Sequence, residues 1–121
     1  MNNNRVHFQV FPESGVVKAT IRNCRLDAIE TFNSKFLAHS TSCLYMGVNK
    51  VDERYLMPNS FSAIAKCSHE DEFDVERGKQ IAIGRLSEKY ENALNKRLAR
   101  YLMNLDKSLA KMDEYFKTHT F

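Results

Sequence analysis

Residues 61–85 read FSAIAKCSHEDEFDVERGKQIAIGR, and the fold turns on how this stretch divides. Phe61 to Cys67 is a short apolar run of strand length. Glu70, Asp71, Glu72, Asp74 and Glu76 follow as an acidic cluster. Carboxylates favour a helix start, where they face unpaired N–H groups and the positive end of the macrodipole. From Asp74 onward there is no proline, and no glycine after Gly84. The stretch therefore predicts a strand that feeds, through an acidic helix start, a long C-terminal helix. It also sets an aromatic ring, Phe73, beside that helix start, a combination suited to a nucleotide-like ligand.

Along the helix, Tyr90, Leu94, Leu98, Tyr101, Leu105, Leu109, Met112 and Phe116 are spaced 4, 4, 3, 4, 4, 3 and 4 residues apart. That is an eleven-residue repeat, about 3.67 residues per turn, which keeps one apolar stripe on a nearly straight helix. Arg85, Lys89, Lys96, Arg100, Lys107 and Lys111 repeat with the same period on another face. Unbroken, the helix spans on the order of 60 Å at about 1.5 Å per residue, more than a small domain covers. Either it breaks near Asn104 to Asp106 or a second subunit packs along it. The stripe continues past the candidate break, which favours packing. Gly78 and Gly84 each cost roughly 1 kcal/mol relative to alanine in a helix interior. They mark either a close approach of another backbone or a ligand, or tolerated surface positions.

Upstream, Val6 to Phe11 alternates, with Val6, Phe8 and Val10 on one face. Pro12-Glu13-Ser14-Gly15 signals a turn, and Val16 to Ile21 a returning strand. Asp27 followed by Glu30 fits a helix-opening capping pair, with Leu26, Ile29, Phe32 and Phe36 on one helical face, although Thr31, Phe32 and Phe36 also suit a strand. Ser42 to Val48 reads as a further strand, separated from Phe61 to Cys67 by a turn at Met57-Pro58-Asn59. There is no internal repeat or linker, so residues 1–121 are expected to form one domain of α+β class. Its antiparallel β-sheet lies in the N-terminal half, and its long C-terminal helical segment mediates oligomerisation.

A chain of 121 residues, 43% hydrophobic and 27% charged, has the make-up of a soluble globular domain. The net charge of +3 is too small to imply non-specific nucleic-acid binding. Cys24, Cys43 and Cys67 are odd in number and far apart, which fits neither a disulfide framework nor a zinc site. No signal-peptide pattern opens the chain and no apolar run approaches the roughly 20 residues of a membrane span. The expected location is the cytoplasm, with no membrane partner.

The acidic cluster lacks a histidine at ligand spacing, so it reads as a helix cap and not as a metal site. The basic stripe is either a solvated face or an anion-binding one. Arg97 lies close to the apolar stripe and Arg100 at its flank, where a planar guanidinium matches phosphate oxygens. Arg22, Arg25 and Arg54 read, unaided, as surface arginines. His7, His39, His69 and His119 form no spaced pair, and no Walker or dinucleotide-binding glycine loop is present. Nothing in the chain carries the signature of catalysis, of a metal centre or of a cofactor.

The run Ala65-Lys66-Cys67, Glu70-Asp71, Phe73-Asp74, Gly78, Ile81-Ala82 and Arg85 resembles a motif of small phage and prophage proteins. It covers about a fifth of the chain. With the length and element order, it looks most like the first family of Thoeris anti-defence proteins. Members of that family are phage sponges that sequester the cyclic ADP-ribose isomers made by bacterial TIR-domain enzymes, without cleaving them. They act as dimers that assemble into hexamers, and some also bind cyclic trinucleotides at separate sites. The resemblance implies that Phe73 stacks on the ligand's adenine and that Arg100, with Arg97 as the nearby alternative, engages the diphosphate. Arg25 and Arg54 would be the arginines of the sheet region and the following loop. Ile83 stands where the family carries a polar residue facing the base, a departure from its pattern.

The expectation is a non-enzymatic sponge for a cyclic nucleotide signal, with its pocket at a subunit interface of a dimer or hexamer, in the cytoplasm of the host cell. The rival reading is a phage inhibitor that docks its basic helix face on a host protein. A nucleic-acid polymer is the less attractive partner, because Glu88, Glu91 and Asp113 interrupt the stripe.

Overall fold

The N-terminal alternation is realised as a hairpin. In the computed structural model, which describes residues 3–36, 53–68 and 72–119, strand β1 (Val6–Phe11) pairs antiparallel with β2 (Val16–Ile21). Ser14 N–H donates to the Phe11 carbonyl at 3.2 Å and Gly15 N–H to that of Pro12 at 3.3 Å, closing the turn. Gly15 has φ +65°, a left-handed conformation that a side chain disfavours. Its carbonyl accepts from Cys67 N–H at 2.7 Å, which fastens the end of the third strand to the hairpin turn. That strand, β3 (Phe61–Lys66), pairs antiparallel with β2 and gives the order β1-β2-β3. It ends one residue before the expected Cys67. The strand expected at Ser42 to Val48 lies outside the described residues.

The inner face of the sheet buries Val6, Val17, Ala19, Ile21, Ala63 and Ala65, while His7, Gln9, Phe11, Ser62, Ile64 and Lys66 stay exposed on the other. Helix α2 (Val75–Thr118) covers the inner face with Ala82, Leu86 and Tyr90. The acidic start works as a cap: Asp74 accepts from Arg77 N–H at 3.2 Å. Glu70 and Asp71 lie outside the described residues. Helix α2 runs unbroken for 44 residues, about 66 Å at roughly 1.5 Å per residue, so no break falls at Asn104 to Asp106. Instead Asn104 Nδ2 donates to the Tyr55 hydroxyl at 2.8 Å, and beyond that contact the helix leaves the domain. Leu105, Leu109, Met112 and Phe116 are between 44% and 57% exposed. Among the described residues no helix is long and apolar enough to cross a membrane.

The two helical glycines have different reasons. A Cβ at Gly78 would lie 2.7 Å from Val17 Cγ2, whereas one at Gly84 would meet nothing within 4 Å. Gly78 lets the helix approach β2; Gly84 is a tolerated surface position. Farther along, Arg85 Nη1 donates to the Ile64 carbonyl at 2.8 Å and Lys89 Nζ to that of Ser62 at 2.9 Å. Two residues of the basic stripe thus cover backbone acceptors of β3.

Helix α1 (Asp27–Phe36) forms as its spacing predicts, with Ala28, Ile29 and Phe32 buried. The role expected of Asp27 is corrected. Its carboxylate does not work as a cap; it takes Arg5 Nη1 at 2.8 Å and the Tyr90 hydroxyl at 2.7 Å. Arg5 Nη2 also donates to the Arg22 and Asn23 carbonyls, each at 2.9 Å. This buried acid therefore ties the start of β1, the β2–α1 connection and α2 together. Such a charge is tolerable because it is paired and hydrogen-bonded. An aromatic group of Phe32, Tyr55 and Tyr101, with ring centroids 5.4 to 6.1 Å apart, holds α1 and the short helical turn Glu53–Tyr55 against α2.

Two stability predictions follow from these contacts. Gly78→Ala drives a methyl into Val17 and costs about 1–3 kcal/mol, while Gly84→Ala gains up to about 1 kcal/mol from helix propensity; urea unfolding of both variants checks the opposite signs. Burial, and then the bond to Asp27, raise the pKa of the Tyr90 hydroxyl. The neutral phenol is the form that the fold favours, so its contribution is intact below about pH 10, the ordinary tyrosine value, and is lost as pH rises further. Melting temperatures measured from pH 8 to pH 11 should fall more steeply for the wild type than for Tyr90→Phe.

Candidate functional site

Four arginines meet around the segment from Glu53 to Met57. Arg100 Nη1 donates to the Arg54 carbonyl at 2.8 Å. One turn earlier, Arg97 Nε donates to the Leu56 carbonyl at 3.1 Å and its Nη1 to that of Ala93 at 3.1 Å. On the other side, the Arg25 carbonyl accepts from Met57 N–H at 3.0 Å. The segment is fixed from below by buried Tyr55 in the aromatic group, and the Arg54 guanidinium lies 5.3 Å from the centroid of that ring. Residues distant in sequence, at 25, 54, 97 and 100, are thereby held on one backbone feature.

Two of them, Arg54 and Arg100, contribute to a basic surface. A cleft of about 650 Å³ is lined by Arg54, Lys96, Arg100, Met103, Asn104 and Lys107. Lys96, Arg100 and Lys107 follow the helical period, so one helix face presents all three. The cleft is shallow and open to solvent, unlike the concave sites that enclose most of a small ligand, so one chain alone covers only part of one. Guanidinium and ammonium groups at this density attract phosphate oxygens by charge-assisted hydrogen bonds.

The arginines divide by what already holds them. Arg97 is half-buried, with two of its nitrogens engaged by backbone carbonyls, so its first role is to fasten α2 to the Leu56 segment. Arg100 is exposed and uses one Nη, which leaves its other donors for an anion. Arg25 is exposed, with no side-chain partner among the described residues.

Phe73 lies elsewhere. It is half-buried against the core just before α2 and lines a smaller cavity of about 240 Å³ with Gly15, Lys66, Cys67, Arg77 and Gly78. That volume alone is closer to room for one ring system than for a whole ligand, but Phe73 also borders an adjoining, more open cleft of about 530 Å³ against Pro12 to Val16 and Ile64. The Cys67 thiol, half-buried, donates to the Ser68 and Glu72 carbonyls at 3.4 and 3.6 Å. Phe73 and Arg100 are 27 positions apart, about 40 Å along the helix at roughly 1.5 Å per residue. Within one chain the aromatic and the basic cleft do not face a common ligand. Ile83 is half-buried against the core and lines none of these cavities.

The sequence gives Arg77 no role and Lys66 only a place in the motif, yet their side chains border the Phe73 cavity without a partner among the described residues. The signal was available. Arg77 stands four positions after Phe73, one helical turn on, and Lys66 falls on the exposed parity of β3. Glu72 and Asp74 border the same cavity, so its charge is balanced and it suits a base more than a phosphate.

No protein-family model, curated protein or solved structure matches this chain.

The different attachments of the two helix arginines are measurable. Arg97→Ala removes a half-buried charged donor from a carbonyl and should cost about 1.5–3 kcal/mol. Arg100→Ala, at an exposed position, should cost under about 1 kcal/mol. Equilibrium denaturation of both variants gives the comparison.

Proposed function

We propose that this protein is a sponge that binds and sequesters a cyclic ADP-ribose-type signal, without cleaving it, at sites shared between protomers. The observation that carries the reading is that Arg54 and Arg100 line one basic cleft, beside the short segment that Arg97 and the Arg25 carbonyl also hold. These are the arginines named by the resemblance to the Thoeris anti-defence sponges, and no local sequence pattern requires them to meet. A diphosphate supplies the anion such a cleft takes, and a purine supplies a ring for Phe73 to stack on.

The 40 Å separation fits a shared site. In an antiparallel pair of α2 helices whose two-fold axis passes midway between Phe73 and Arg100, near Leu86, the aromatic of each protomer approaches the arginines of the other. In that register the distal part of each helix, with exposed Leu105, Leu109 and Met112, reaches past the start of the partner's α2. The arrangement completes two equivalent sites, as an isologous dimer must; a hexamer repeats that unit. Retention needs affinity and slow release, and no group at either cavity is poised for chemistry in this reading. The protein would act in the cytoplasm of an infected cell, where TIR-domain enzymes release the signal. The rival inhibitor would use the same basic helix face, but Arg85 and Lys89 already cover β3 carbonyls, which thins that face.

The test is incubation of the purified protein with cyclic ADP-ribose isomers and cyclic trinucleotides, then washing, heating and mass spectrometry of what is released. An intact cyclic ADP-ribose isomer is expected from the wild type. Phe73→Ala and Arg100→Ala should lose it while keeping fold and oligomer. A cleaved product would make the protein an enzyme. Absence of any retained nucleotide, with a stoichiometric host protein in pull-downs, would establish the inhibitor instead.

A further inference from the structure

In sequence Glu88, Glu91 and Asp113 interrupt the basic residues of α2; around the unbroken helix they do not. At about 100° per residue, Lys96, Lys107 and Lys111 fall within about 40° of Arg100. Glu88, Glu91, Asp106 and Asp113 fall about 120° to 180° away from it. All four cations are exposed, and Lys96, Lys107 and Lys111 have no partner among the described residues. Arg85 and Lys89, at the start of the same face, are committed to β3 carbonyls. The open row therefore runs from Lys96 to Lys111, about 22 Å at roughly 1.5 Å per residue, and Glu114 closes it. It ends beside rings. Tyr115, one turn past Lys111 and 56% exposed, stacks on His119 with centroids 4.1 Å apart and planes 16° from parallel.

We propose that this face of α2 binds a single-stranded nucleic acid, with Lys96, Arg100, Lys107 and Lys111 along its phosphates and the Tyr115–His119 pair under a base. The net charge of +3 is small because acids on the far side of the helix offset the row, and a binding face depends on how charge is distributed. A straight row one cation wide follows one backbone. Holding both strands of a duplex would need cations on the helix flanks as well, where α2 carries its acids and its apolar stripe. The ring pair selects in the same direction, since stacking needs the face of an unpaired base. An acidic protein surface would satisfy the cations and leave the rings unused. Exposed Leu105, Leu109, Met112 and Phe116 lie about 120° to 180° from Arg100 on the remaining side, so a second protomer packed there leaves the row open. The inference does not rest on the ligand reading. The row shares Lys96, Arg100 and Lys107 with the basic cleft, so a strand and a cyclic nucleotide compete there.

The test is fluorescence anisotropy of a labelled single-stranded DNA of mixed sequence, titrated with full-length protein at a series of salt concentrations. The logarithm of affinity should fall against that of salt with a slope of about −3, roughly −0.7 for each of four phosphates neutralised. Lys111→Gln should make the slope shallower by about 0.7. Tyr115→Ala should weaken binding about fivefold or more and leave the slope unchanged. Lys117 lies about 100° from Arg100 around the helix and is paired with Asp113 at 3.0 Å. Lys117→Gln removes the same charge from the chain as Lys111→Gln, yet should leave the slope as it is. Lys111, Tyr115 and Lys117 are exposed and line neither the basic cleft nor the Phe73 cavity, so these variants should fold and retain any cyclic nucleotide that the wild type retains. No binding, equal effects of Lys111→Gln and Lys117→Gln, or a duplex of the same sequence bound as tightly as the single strand would each overturn the proposal.

Discussion

How closely α2 can lie on β2 governs the rest of the molecule. The contact is made of small residues: Gly78 against Val17, then Ala82 over a sheet whose centre is Ala19 paired with Ala63. Because the backbones approach so nearly, the cationic side chains of the next two turns reach the carbonyls of β3, and Tyr90 reaches Asp27. A strand of six residues spans about 20 Å, and α2 is about three times that length. Once its first turns are fixed on the sheet, its last turns must project. The uncovered distal stripe is therefore a geometric result of the same contact that builds the core.

The elements that repeat were legible in the sequence. The alternation of Val6 to Phe11, the turn ending at Gly15 and the eleven-residue stripe each state a local period, and local periods survive folding. What was not legible depends on residues meeting across the chain. Asp27 and Glu30 have the spacing of a cap, but the carboxylate at Asp27 finds Arg5 and Tyr90 instead, and those partners stand 22 and 63 positions away. Likewise Asn104 looks like a place for a helix to stop, and it is in fact held by the hydroxyl of Tyr55. A polar residue near an element boundary has two ways to be satisfied, and only the tertiary contacts choose.

The candidate site shows the same division. Ile83 apart, the residues named from the resemblance fall into two groups, one at each end of the covered part of α2. The basic group was harder to read from the sequence than the aromatic one, because its members are joined through backbone atoms of Arg54, Leu56 and Met57, which no side-chain pattern announces. The distinction between Arg97 and Arg100, three positions apart on one helix, also comes from those carbonyls. Lys66 and Arg77 flank the acidic cluster in sequence, and only the fold brings them to one cavity.

That α2 supplies the cover for the sheet has a consequence during synthesis. The hairpin of β1 and β2 has local contacts and closes in microseconds once exposed. Val17 and Ala19, fully enclosed in the finished protein, have no lid until the chain has grown through Gly78 and Tyr90. The 61 positions between Val17 and Gly78 take roughly 3–12 s to make at about 5–20 residues per second. For that interval the nascent chain carries an apolar sheet face without its cover. The portion of the protein that folds fastest is thus the portion that waits longest, and a ribosome-bound chaperone has seconds in which to hold it.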